Sequence, residues 1–233
     1  MAFHFIEIER SSDMDNITEI IPILLKGLKI TIIVLIGSAI LSYLIAFISG
    51  LCSLSNNVIL RKFTGFYIEI FRGTSLIVQL FWLYYALPIL FKIDLGSDLL
   101  AGIIAIALNY GAYMSEVVRG SILSVSKGQT EAGIALNMTR AQRMRLIILP
   151  QAVRMMLPEF GNYLIQMLKA TSLVSLIGLS DMLYYGNLYR STHIAQASTV
   201  YLLILIAYFI LALPLIWLVR KMESFSKKGV ASE

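Results

Sequence analysis

Five long apolar runs, separated by short polar stretches, set the pattern of this chain. A hydrocarbon layer of roughly 30 Å takes about 20 helical residues to cross. Segments near Leu28–Ser49, Leu99–Val118 and Val200–Val219 meet that length. Ser75–Leu90 is shorter and aromatic, and its helix starts a few residues earlier. Met155–Leu179 is broken up by Glu159, Asn162, Gln166 and Lys169. Ile17–Gly27 and Ile59–Phe71, just ahead of the first two runs, read as interfacial helices. Small residues recur at every fourth position in the first run (Ser38, Ser42, Ala46, Gly50) and in the third (Ala107, Gly111, Ser115). Such ridges let helix backbones approach closely in lipid, where packing drives association. The pattern predicts an all-α membrane protein of about five transmembrane helices in one domain, without an internal repeat or linker. Residues 1–27 form its tail and interfacial helix, and 28–233 the transmembrane part with a loop at 119–154.

Composition agrees, and charge adds direction. The chain is 58% hydrophobic and 14% charged, against about 25% charged in soluble domains. The net charge of +5 lies between apolar runs, a topology signal that argues against nucleic-acid binding. The start carries Glu7, Glu9, Asp13, Asp15 and Glu19 against Arg10, so it lacks the basic opening of a signal peptide. The first span therefore does the targeting. Arg61 and Lys62 lie in the first connection, and Arg119, Lys127, Arg140, Arg143, Arg145 and Arg154 in the third. Arg220, Lys221, Lys227 and Lys228 form the tail, whereas Lys92 is offset by Asp94 and Asp98. Positive-inside bias then places the N-terminus outside and the C-terminus in the cytoplasm of a multi-pass inner-membrane protein. Cys52 is the single cysteine, which excludes an internal disulfide and a thiolate metal cluster. No clustered catalytic groups, metal constellation or cofactor motif is present, so the chain does not read as an enzyme.

The third connection carries the most information. Ser126 with Gln129, and Thr139 with Gln142, have capping-box spacing. Asn137 lies between them and tolerates the left-handed backbone that ends a helix. Pro150 fixes a turn before the chain re-enters the membrane. The segment predicts helix, sharp turn, helix, membrane, with Ile134, Leu136 and Met138 as apolar contacts. Such a knob suits docking to another protein; a compact connector is the plainer alternative.

The knob resembles the EAA motif of ABC-importer permease subunits: Glu-Ala-Ala, three residues, Gly, nine residues, Ile, one residue, Leu. Here it runs Glu131, Ala132, Gly133, then Asn137, Ile147 and Leu149, with Pro150 following. Gly133 replaces the second alanine and Asn137 the glycine. Phe71–Pro88, Asn109–Gly133 and Leu149–Asp181 are similar to the polar amino acid branch of that family, which usually has proline where Ser75 stands. The resemblance implies a type I importer permease fold and a separate cytoplasmic ATPase, two copies of which each receive one knob. It assigns Glu131, Ala132, Gly133 and Asn137 to ATPase docking. It also implies a second permease chain, identical or related, and an extracytoplasmic solute-binding protein.

No G-x-x-x-x-G-K-[ST] phosphate loop occurs, so ATP chemistry by that route falls to a partner. Glu159, Asn162, Gln166 and Lys169 step by three, four and three residues and share one helix face. Polar groups inside spans mark solute paths or interhelical bonding. Glu69 with Arg72 and Glu116 with Arg119 have pairing distance along a helix. Phe81, Trp82, Tyr84 and Tyr85 suit an interfacial aromatic belt better than a cation cage. His193 has no second metal ligand beside it. A compatible solute such as ectoine, or an opine, fits the same pattern as a polar amino acid. The rival class is an autonomous channel or secondary carrier, which leaves the folded basic loop unexplained.

Overall fold

The computed structural model describes the backbone of residues 2–93 and 95–227, with side chains from Ile17 onward except 94, 225 and 227. The acidic side chains ahead of Ile17, Asp94, the Lys227 side chain and Lys228 lie outside the described residues. Every regular element described is helical. In chain order they are α1 (Ala2–Ser53), α2 (Val58–Gly73), α3 (Leu76–Phe91), α4 (Asp98–Ser124) and α5 (Lys127–Ala135). Then follow α6 (Arg140–Ile177), α7 (Met182–Thr192) and α8 (Ala197–Lys227). Three helices are long and apolar enough to cross a membrane, or up to five if each of two bent pairs counts as one span.

α1 and α4 form the centre. Ser38, Ser42, Ala46 and Gly50 are buried, and so are Ala107, Gly111 and Ser115. The two small-residue ridges face each other. A methyl on Gly111 would lie 2.7 Å from Ile45, and one on Gly50 would lie 2.6 Å from Val118. The Ser42 hydroxyl sits 3.4 Å from the Ala107 carbonyl across this seam. On the opposite side of α1, Ile32, Ile36, Ile40, Leu44 and Ile48 are exposed at every fourth position. Such an apolar stripe suits the hydrocarbon around a spanning helix.

Two local expectations change. α1 runs without a break through Gly27, so Ile17–Gly27 is not a separate interfacial helix. Gly27 packs where a Cβ would collide with the Asp181 backbone, so its role is close approach. The Tyr67 hydroxyl of α2 donates to the Leu108 carbonyl (2.7 Å), near the middle of α4. α2 and α3 form one bent pair, with 110° between them.

Pro150 makes no turn. α6 passes through it because the preceding turn widens to π geometry at Met144–Ile148, with the Leu149 N–H donating to the Met144 carbonyl. The same device precedes Pro88, at Trp82–Ala86. A proline has no N–H and its ring crowds the carbonyl four residues back; a wider turn relieves both.

Asp181 follows the fourth apolar run and is fully buried. Its carboxylate accepts from the Tyr184 N–H (2.8 Å), capping α7, and from the Tyr208 hydroxyl (3.2 Å).

Candidate functional site

The break between α2 and α3 builds the first candidate site. Helix ends leave carbonyls without partners, and in a membrane interior each must be satisfied by protein or enclosed water. Gln79 supplies the answer: its Nε2 donates to the carbonyls of Phe71 (2.9 Å) and Thr74 (3.2 Å) and to Thr74 Oγ1 (2.7 Å). Asn109 Nδ2 donates to the same Phe71 carbonyl and to Gln79 Oε1, both at 3.0 Å. Both amides are almost fully buried, at 7% and 5% exposure.

Beside this lock is a cavity of about 380 Å³ lined by Thr74, Ser75, Leu76, Asn109, Tyr110, Tyr113, Tyr163 and Gln166. Tyr163 meets Tyr110 and Tyr113 with ring centroids 6.2 and 6.3 Å apart. The Arg72 guanidinium lies over the Tyr113 ring at 5.6 Å, and the Tyr113 hydroxyl donates to the Arg72 carbonyl (3.2 Å). The lining offers hydroxyls and amides but no ionised side chain. Volume and polarity fall within the range of small-molecule sites.

Of the four polar residues on α6, Gln166 reaches this lining. Glu159, Asn162 and Lys169 share its exposed face without lining the cavity. The anticipated single face is therefore present. Sequence reasoning missed Gln79, Asn109 and the three tyrosines. Asn109 within an apolar run was the available signal; the tyrosines came from two different runs and gave none.

Phe81, Trp82 and Tyr85 point outward, and Tyr84 donates to Asp98 (3.0 Å). Glu116 and Arg119 form an ion pair at 2.8 Å. Glu69 is exposed, while Arg72 turns to Tyr113 instead of toward it.

The second candidate site is the knob. α5 ends where Asn137 takes φ +53, the left-handed backbone anticipated for it. The Met138 N–H donates to the Gly133 carbonyl (3.0 Å) and the Asn137 N–H to the Ile134 carbonyl (2.9 Å), a Schellman closure. Thr139 and Gln142 form the full capping box at the start of α6. Ser126 occupies the N-cap of α5 but makes no side-chain capping bond. Glu131, Ala132 and Asn137 are exposed, as are Ile134 (56%) and Leu136 (74%). Gly133 differs from these neighbours. It is buried, and a methyl there would lie 2.7 Å from Arg143 Cδ. Its small size serves the packing of α5 on α6 within this chain.

Apolar helices around a polar cavity at a broken span, with a folded knob between two of them, define a membrane permease subunit. The chain belongs to the family of binding-protein-dependent transport system inner membrane components, whose family model matches residues 42–227. It is 44% identical over 203 residues to a probable amino-acid ABC transporter permease protein, y4tF, of Sinorhizobium fredii, covering 85% of each chain. It is 34% identical over 212 residues to the glutamine transport system permease protein GlnP of Escherichia coli, covering 91% of this chain and 96% of that one. A solved structure described as an amino acid ABC transporter with histidines superposes with a TM-score of 0.83 at 32% identity, covering 90% of this chain and 96% of that one. The inward-facing MetNI methionine ABC transporter shares the fold, with a TM-score of 0.67 at 19% identity over 87% of this chain and 97% of that one. The protein is thus a multi-pass inner-membrane ABC-importer permease subunit of the type I fold. Membership implies an ATPase and a solute-binding protein as partners in general.

Proposed function

We propose that this chain forms one half of the translocation pathway of an ATP-driven importer for polar amino acids. The observation that carries this reading is the neutral, polar cavity at the break between α2 and α3, beside the exposed polar face of α6. A zwitterion has no net charge but needs donors and acceptors together; three phenols, two aliphatic hydroxyls and two amides supply both. The names of the relatives, which include glutamine and amino-acid transport, point to the same solute class.

Glu159 and Lys169 cannot face hydrocarbon without a large penalty. Their exposed face looks onto a hydrated path or onto a second permease chain, identical or related. The basic 119–154 segment then lies in the cytoplasm, with the N-terminus outside. Two ATPase subunits hydrolyse ATP, each receiving one knob, and their closure tilts the spans so that the path opens toward the binding protein.

Thiol labelling of Asn162→Cys and Gln166→Cys, each in a Cys52→Ser background, tests the path. Access should differ between the resting importer and one trapped with ATP. Both positions inert in both states would end the assignment.

A further inference from the structure

The amides around the break fix one another's orientation. One end of the Gln79 carboxamide faces the carbonyls of Phe71 and Thr74, which accept and cannot donate. That end is therefore the NH2 group, and Oε1 points to Asn109. An oxygen there requires a donor, so Asn109 presents Nδ2 to it. The same Nδ2 donates to the Phe71 carbonyl, which uses both of its hydrogens. The remaining Asn109 atom is Oδ1. Among the described residues nothing donates to that oxygen, and it is not a sealed, unpartnered atom. Asn109 lines the cavity, and with Nδ2 engaged at the break, Oδ1 is the side-chain polar atom it has left to offer there.

We propose that Gln79 is a positioning residue for solute recognition. From outside the cavity it holds the Asn109 amide so that Asn109 offers the solute an acceptor and not a donor. A donor group on the solute, such as the ammonium of an amino acid, is favoured at that wall, and a carboxylate is turned away from it. The flip of the Asn109 amide that would reverse this preference places Oδ1 against the Phe71 carbonyl and Gln79 Oε1. Two acceptors would then face a third, a repulsive arrangement in a poorly solvated site. Gln79 thus decides the polarity of a wall it does not itself reach. This inference rests on reading the cavity as the solute seat.

The test uses the assembled importer in proteoliposomes, with Ser75→Cys as the reporter in a Cys52→Ser background, because Ser75 lines the cavity. Two thiol reagents of similar size are compared, the cationic aminoethyl and the anionic sulfonatoethyl methanethiosulfonate. The ratio of their labelling rates reads the preference of the cavity wall. Gln79→Met, which keeps the length but neither donates nor accepts as an amide, should lower the cation-to-anion ratio about fivefold. Asn109→Leu should lower it by as much, and the double variant no further. A purely structural role for Gln79 loosens the break and speeds both reagents alike; an unchanged ratio would overturn the proposal. Thr74→Val keeps both amides but removes the hydroxyl anchor of Gln79, together with its bond to the Ile70 carbonyl and one cavity hydroxyl, and should shift the ratio the same way. It decides the question if Gln79→Met does not insert. Protection of Ser75→Cys by L-glutamine is a separate readout of the seat. Its loss counts against the proposed solute class while the reagent ratio still judges Gln79.

Discussion

ATP-driven uptake should fall about 100-fold when Ala132→Trp is combined with Leu136→Arg, with the amount of chain in the membrane unchanged. Both positions are exposed on or just past α5, where Leu136 and Ile134 are also large apolar side chains left exposed, at 74% and 56%. An exposed apolar surface on a rigid, capped element is what a partner covers. A bulky ring at Ala132 prevents close approach, and a cation at Leu136 places charge where a greasy contact belongs. A few residues at the centre of an interface each contribute on the order of 2 kcal/mol or more, so losing two predicts an effect of this size. Gly133 is left alone, because a larger residue there would collide with Arg143 and confound docking with internal repacking. The measurements are co-purification of the ATPase and uptake into proteoliposomes. Normal assembly and normal uptake in the double variant would remove α5 from the coupling role.

Gly27→Ala should lower the thermal midpoint of the purified protein more than any other single methyl addition proposed for it. The added carbon would collide with the Asp181 carbonyl carbon, its oxygen and the Met182 nitrogen. All three are backbone atoms at the start of α7, so no side chain can swing aside. Overpacking of this kind costs about 1–3 kcal/mol, and displacement of the Asp181 cap adds to it. Gly120→Ala is the control: nothing lies within 4 Å of that site, and helix propensity favours alanine by about 1 kcal/mol. Equal midpoints for the two variants would mean that α1 and the Asp181 connection are not in close contact.

How far the sequence reaches depends on the range of the interaction. Spans follow from runs of apolar residues, and small-residue ridges from a four-residue repeat. The polar face of α6 follows from steps of three and four. The turn at Asn137 and the capping box at Thr139 are also settled within a few residues, because their hydrogen bonds are local. Those features were legible along the chain.

The tertiary structure alone decided the rest. The break between α2 and α3 is held by Gln79 and Asn109, which are thirty residues apart, and no periodicity links them. The cavity needs Tyr110 and Tyr113 from α4 with Tyr163 from α6. The packing of Gly133 against Arg143 is set only when α6 folds back on α5. The passage of α6 through Pro150 depends on a widened turn that residue identity alone does not announce. A side chain's period tells which face of its own helix it occupies; which neighbour meets that face is fixed only when the helices pack.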